Sequence, residues 1–166
     1  MLPLAYPKLE LPDCHEVLAF RAIETILRTD GTLQRVSRHF NAWCGDPADV
    51  LGPTFALCPY LQISPAPSPS TWESEGQHNM PMAIGLLCVV AGSNRDQLMN
   101  YWATIRRALW PSEPGRFATV RQLVQDARIT RPTLEANAYG IRTEESGVRM
   151  LVATGTLKLT LLVDTP

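Results

Sequence analysis

Trp72, Glu73, Glu75 and His78 form the most enzyme-like cluster in this sequence. Glutamates beside a histidine can supply an acid and a base, or hold a metal. On an extended strand Glu73 and Glu75 share one face and His78 falls on the other, so the three do not converge. A solvated polar strand at the end of a loop accounts for the same residues. Trp72 is then the tryptophan expected at a contact, because aromatic side chains anchor interfaces. Cys14-His15 is a second candidate, but adjacent residues near a helix start point in different directions, and no direct thiolate–imidazole pair is expected. The four cysteines, Cys14, Cys44, Cys58 and Cys88, contain no Cys-x-x-Cys pair. A closed zinc site would have to draw on four separate segments, with His15, His39 and His78 as further donors. Small buried thiols are the simpler reading.

The basic residues raise a different chemistry. Arg106 and Arg107 close a helical stretch, and Arg116, Arg121, Arg128 and Arg131 follow. Arg121 and Arg128 fall two turns apart on one side of a third helix, which could touch passing nucleic acid through phosphates alone. The plainer reading has Arg106 and Arg107 complementing a helix dipole and the rest solvating a surface. Charge gives no global pull toward nucleic acid or an anionic membrane: 15 Lys and Arg stand against 16 Asp and Glu, a formal net charge of -1. Motifs with spacing fixed by geometry are missing, namely the Walker loop, the dinucleotide glycine fingerprint, His-Glu-x-x-His and Gly-x-Ser-x-Gly. No catalytic residue, metal ligand or cofactor is therefore predicted, and an enzyme is not expected.

The elements that would position these residues read as follows. With 166 residues, 45% of them hydrophobic and 19% charged, the chain has the balance of one globular domain over 1–166. No apolar run approaches the roughly 18–20 residues that span a bilayer. The opening lacks the pattern of a secretory signal, so a reducing, cytoplasm-like compartment is expected. Pro3, Pro7 and Pro12 make 1–12 an extended arm. Asp13 and Glu16 form a capping box for a helix from about Cys14 to Arg28, which Asp30-Gly31 ends. Leu33 to Trp43 is expected as a strand, and Cys44 to Pro59 as a turn-rich loop. Tyr60 to Ile63 is a short strand closed by Pro65, and Ser64 to Ser70 a protruding loop of Ser, Pro and Ala. Met80 to Ala91 is mostly apolar, as in a strand covered on both faces. Asn94 and Gln97 cap a helix from Arg95 to Trp110, with Leu98, Tyr101, Trp102, Ile105, Ala108 and Leu109 along one stripe. A shorter helix follows over Arg116 to Ile129. Two closing strands, Thr133–Arg142 and Val148–Val163, flank a turn at Glu144-Glu145-Ser146-Gly147. The fold class is therefore α+β: a mainly antiparallel sheet with two to three helices packed on one face and long proline-rich loops.

The central segment also carries a resemblance. Trp72-Glu73-Ser74-Glu75-Gly76-Gln77-His78, the strand ending Val90-Ala91-Gly92, Asp96-Gln97-Leu98-Met99-Asn100-Tyr101-Trp102, and Ile105-Arg106-Arg107-Ala108-Leu109-Trp110-Pro111 resemble neck and tail-completion proteins of tailed bacteriophages. The tail-terminator group is the most similar, over about Tyr60 to Pro111. The resemblance implies a virion protein assembled in the host cytoplasm. Its subunits would form a homohexameric ring that caps the tail tube and meets the head–tail connector or stopper, with DNA passing non-specifically through the lumen. Trp72, Glu73 and Glu75 would then lie at a subunit junction, and Arg106, Arg107 and Arg116 would face a neighbour or the lumen. The long arm at 1–12 departs from small terminators and keeps a connector or stopper role open. A small metal- or thiol-dependent enzyme using Cys14, His15 or His78 is the alternative from another class.

Overall fold

The structure is a computed structural model that describes residues 14–42, 54–66, 77–143 and 147–164. The elements run α1 (His15–Arg28), α2 (Gly31–Val36), β1 (His39–Ala42), a single 3-10 turn (Phe55–Leu57) and β2 (Tyr60–Ala66). There follow β3 (Gln77–Ala91), α3 (Arg95–Leu109), α4 (Pro114–Asp126), β4 (Ile129–Thr143) and β5 (Arg149–Asp164). The strands form one sheet in the order β1-β2-β3-β5-β4. All neighbours are antiparallel except β1 and β2, which pair in parallel. The class is α+β, as the sequence pattern implies.

One face of the sheet carries the helices, and the main core lies between the two layers. β5 shows why the strands register as they do. Ala153, Leu157, Leu159 and Leu161 are buried, while Lys158 between them is exposed, the period of two that puts alternate side chains on opposite faces. From α1 come Ala19, Ala22, Ile23, Ile26 and Leu27; from α3 come Leu98, Tyr101, Trp102, Ile105, Ala108 and Leu109, as the stripe predicts. α3 begins where Asn94 Oδ1 accepts the Asp96 and Gln97 N–H groups at 3.0 and 3.2 Å, satisfying two donors that a helix start leaves free.

The structure corrects several expectations. Asp30-Gly31 does not simply end α1. Thr29 is its C-cap, and Asp30 Oδ1 accepts from Thr32 and Leu33 N–H at 3.0 and 2.9 Å, opening the six-residue α2, so that of the strand expected over Leu33–Trp43 only His39–Ala42 is described as strand. The N-cap of α1 is Cys14, without a side-chain bond; Asp13 lies outside the described residues. β2 runs through Ser64 and Pro65 to Ala66 rather than stopping at Ile63. Proline is tolerated there because β1 pairs only with Tyr60–Ile63, so the missing Pro65 N–H falls beyond that ladder. The remainder of the expected loops at Cys44–Pro59 and Ser64–Ser70, and most of the Glu144–Gly147 turn, lies outside the described residues; Gly147 itself has φ +82°.

β3 is not covered on both faces throughout. Met82, Ile84, Leu86, Cys88 and Val90 face the helices and are buried, whereas Ala83, Gly85 and Leu87 on the other face are half-buried. Among the described residues the second face gains a core of its own near Val89, from Cys58, Tyr60 and Met150 with Leu57, Leu87, Ala91 and Val152 around them. A polar chain borders it: Asn41 Nδ2 donates to the Tyr60 hydroxyl at 3.0 Å, which donates to Gln62 Oε1 at 3.0 Å, and His39 stacks on the Tyr60 ring with centroids 5.3 Å apart.

Candidate assembly surfaces

The six residues assigned to contacts divide into three groups in the structure. Trp72, Glu73 and Glu75 lie outside the described residues, just before Gln77 opens β3. Arg106 and Arg107 occupy the last turn of α3, both exposed, where their charge favours the negative end of the helix dipole. Arg116 is turned into the chain. Its guanidinium donates to Thr29 Oγ1 at 2.9 Å and to the carbonyl of Ile26, tying α4 to the C-terminal turn of α1. Its Nε is buried without a hydrogen-bond partner. Of the three arginines, Arg116 has the least freedom to reach a neighbour.

The arginine stripe expected on the third helix is not continuous. α4 ends at Asp126, and Arg128 lies beyond it with φ +54°, so Arg121 and Arg128 do not share one helical face. The Arg128 carbonyl accepts the Leu162 N–H at 3.0 Å and starts the β4–β5 ladder.

The candidate reactive groups are spread apart. Cys14 is exposed at the start of α1, while Cys58 and Cys88 are buried. The Cys58 thiol donates to the Thr54 carbonyl at 3.3 Å. Burial pushes the Cys88 thiol up to about 12, against a smaller opposing effect of a hydrogen bond with the Ala153 backbone. Burial likewise raises the Tyr101 phenol, whose oxygen lies 2.6 Å from Ser37 Oγ. Among the described residues no three of His, Cys, Asp and Glu converge as a metal-binding group. No helix among the described residues is long and apolar enough to cross a membrane.

Two exposed apolar regions were not singled out from sequence. The corner between α3 and α4 presents Trp110 and Phe117, 40% and 50% exposed, beside Arg106 and Arg107. The other is the far half of β4, where Tyr139 and Ile141 are 59% and 69% exposed. Their cross-strand partners are Ala153 and Leu151, so both lie on the helix-bearing face, at its outer edge and exposed. β4 is an edge strand, and no described strand pairs with its outer side. The local sequence gave one usable signal, an alternation of Tyr139, Gly140 and Ile141. That alternation marks a strand face but not whether a helix covers it. A third feature is an open depression of about 410 Å³ between α1 and α2, with Leu27, Leu33 and Phe40 on its floor and Arg28 and Arg38 on its rim. Arg28 lies 4.4 Å over the Phe40 ring and bonds Glu24 Oε1 at 2.7 Å, so one of the two rim charges is already engaged.

Among the described residues these features define an α+β fold with a sheet edge that no described strand pairs and apolar side chains exposed beside it. No protein-family model matches the chain, and no curated protein matches it. Among solved structures it is similar to a chain described as "Virion of native gene transfer agent (GTA) particle", at 14% identity and a TM-score of 0.38, over 85% of this chain and 93% of that one. At that score the likeness is too loose to carry an argument about function.

Proposed function

We propose that this chain is a structural subunit of a tailed-phage virion, a tail terminator that assembles as a ring, caps the tail tube and joins it to the head–tail connector. The observation that supports this most is the β4 edge. A monomer normally blunts a sheet edge with charge, proline or a covering element, because an open edge templates pairing with another chain. β4 carries Pro132, Glu135 and two register breaks in its first half, but from Ala138 to Thr143 its pairing with β5 is regular and Tyr139 and Ile141 stand open to solvent. Arg106, Arg107 and Trp110 at the end of α3 supply a second contact of the kind that anchors one subunit on another, an aromatic beside charges that set register more than affinity. Trp72, Glu73 and Glu75 are assigned to the subunit junction on the resemblance of their segment to terminators.

Light scattering on the purified chain, alone and after mixing with tail-tube and connector proteins, tests the proposal. A defined ring near six subunits, or a monomer that becomes one on the tube end, is the expected result. A ring that binds the connector and not the tube moves the chain to a connector or stopper role. A monomer that ignores both partners at every concentration overturns the structural reading. Trp72→Ala should weaken assembly and leave the circular dichroism of the folded chain unchanged.

A further inference from the structure

We infer that the free edge of β4 is filled by residues 2–8 of a second copy of this chain, which add to it as one extra strand. This deepens the ring reading and rests on it.

The backbone decides which residues of β4 are available. The Leu162 N–H points to the β4 side, bonding the Arg128 carbonyl at 3.0 Å, and the Arg149 carbonyl points to the other side, accepting from Gly92 at 2.9 Å. β5 pairs with β3 without a register break, so its even-numbered residues face β4 and its odd-numbered ones face β3. Thr154, Val152 and Met150 are therefore the hydrogen-bonded partners of Ala138, Gly140 and Arg142. The backbone groups of Tyr139, Ile141 and Thr143 consequently point outward from the sheet. They belong to the same residues whose side chains stand on the uncovered half of the helix-bearing face. One set of positions thus offers both unpaired backbone and exposed apolar surface.

The sequence before Cys14 fits this edge. In an extended strand alternate residues share both a side-chain face and a hydrogen-bonding side. Leu2, Leu4, Tyr6 and Lys8 form one such set; Pro3, Ala5 and Pro7 form the other. Both prolines thus fall on the same side. If the even set bonds to β4, every donor it needs is present, and the donors that proline lacks lie on the new outer edge. The added strand then ends the sheet, since proline is accepted on an edge and blocks further pairing. Opposed residues share a face, which brings Leu2, Leu4 and Tyr6 alongside Tyr139 and Ile141 in the aromatic and branched pairings that stabilise neighbouring strands. A strand handed from each copy to the next is a head-to-tail contact, the kind that closes into a ring.

The test is disulfide trapping between two full-length chains of different mass, both carrying Cys14→Ser. One carries Leu4→Cys and the other Tyr139→Cys, Ile141→Cys or Ala138→Cys. Opposed strand residues meet the Cα spacing of a disulfide, whereas Ala138 points to the other face. The expected result is a mixed-mass disulfide, mapped by peptide mass spectrometry, at least tenfold more abundant with Tyr139→Cys or Ile141→Cys than with Ala138→Cys. Adding Ile141→Pro to the Tyr139→Cys chain removes an outward N–H while leaving the ladder to β5 intact, and should cut trapping about fivefold with unchanged circular dichroism. Equal trapping at all three positions overturns the inference, as does a bond found only within one chain. An assembled ring with no trapped product overturns it while leaving the ring itself standing; a monomer with none overturns both.

Discussion

Gly155 is the position where a single methyl group tests how the helix layer sits on the sheet. It lies in β5 between Leu86 of β3 and Ala136 of β4, and the indole of Trp102 fills the space its missing side chain leaves. A Cβ at residue 155 would stand 2.7 Å from both the Glu135 carbonyl oxygen and Trp102 Cζ2, and nearer still to Trp102 Cη2. Carbon atoms attract best at roughly 3.5–4.0 Å, so the methyl overlaps both neighbours. The carbonyl is main chain on the paired strand, and Trp102 is 7% exposed, so neither gives way cheaply. Taken on backbone entropy alone, Gly155→Ala should stabilise the protein by about 0.4–1 kcal/mol. Overpacking opposes that by about 1–3 kcal/mol. The packing term is the larger, and the net expectation is a loss of about 1–2 kcal/mol. In urea the midpoint should fall with an unchanged slope, and the melting temperature should drop by about 2–4 °C per kcal/mol. Trp102→Leu relieves the indole overlap and leaves the one with the Glu135 carbonyl, so the double variant should be about 1 kcal/mol more stable than the sum of the two singles. A Gly155→Ala midpoint at or above that of the parent, or strict additivity in the double variant, refutes the wedge.

Arg116→Met should cost about 2 kcal/mol, because it removes charge-assisted bonds to Thr29 and the Ile26 carbonyl. Arg106→Ala and Arg107→Ala, at exposed positions, should stay within about 0.5 kcal/mol in the same urea titration. A third prediction concerns alkali. With the Cys88 thiol raised from 9.0 to about 12, the folded chain keeps a proton that the unfolded chain loses across that window. Its contribution is intact below pH 9 and is lost as pH rises toward 12, by about 1.4 kcal/mol per pH unit; Tyr101 acts in the same direction. Melts recorded from pH 7 to 11 should be flat, then fall above about 9, and Cys88→Ala should soften the fall.

Much of the fold is written locally. Asn94 and Gln97 with the stripe from Leu98 to Leu109 specify α3 nearly to the residue, and the leucines of β5 specify its buried face. The errors occur where local pattern is ambiguous. Asp30-Gly31 suits the end of one helix and the start of the next, because aspartate accepts free N–H groups and glycine permits a turn. α2, at six residues, is too short to show a helical period. The apolar run of β3 looks alike whether one face is covered or two. Among the described residues its second face gains a core near Val89 from Cys58, Tyr60 and Met150, which come from distant parts of the sequence.

The candidate surfaces were less legible for a related physical reason. Type and alternation give a side chain a face, and only the extents of α3 and α4 decide whether that face is covered. Tyr139 and Ile141 alternate as core residues do; they are exposed because β4 is the edge strand, whereas Ala153 and Leu151 opposite them on β5 pack in the main core. Arg116 errs in the opposite sense, since an arginine near a helix start reads as surface until the C-terminal turn of α1 is placed against it. A contact surface on this fold is therefore set by how far the helix-side core extends across the sheet toward its β4 edge. Replacing Tyr139 and Ile141 by Thr should remove that surface while leaving the helix-covered core in place, with stability in urea within about 0.5 kcal/mol of the parent's.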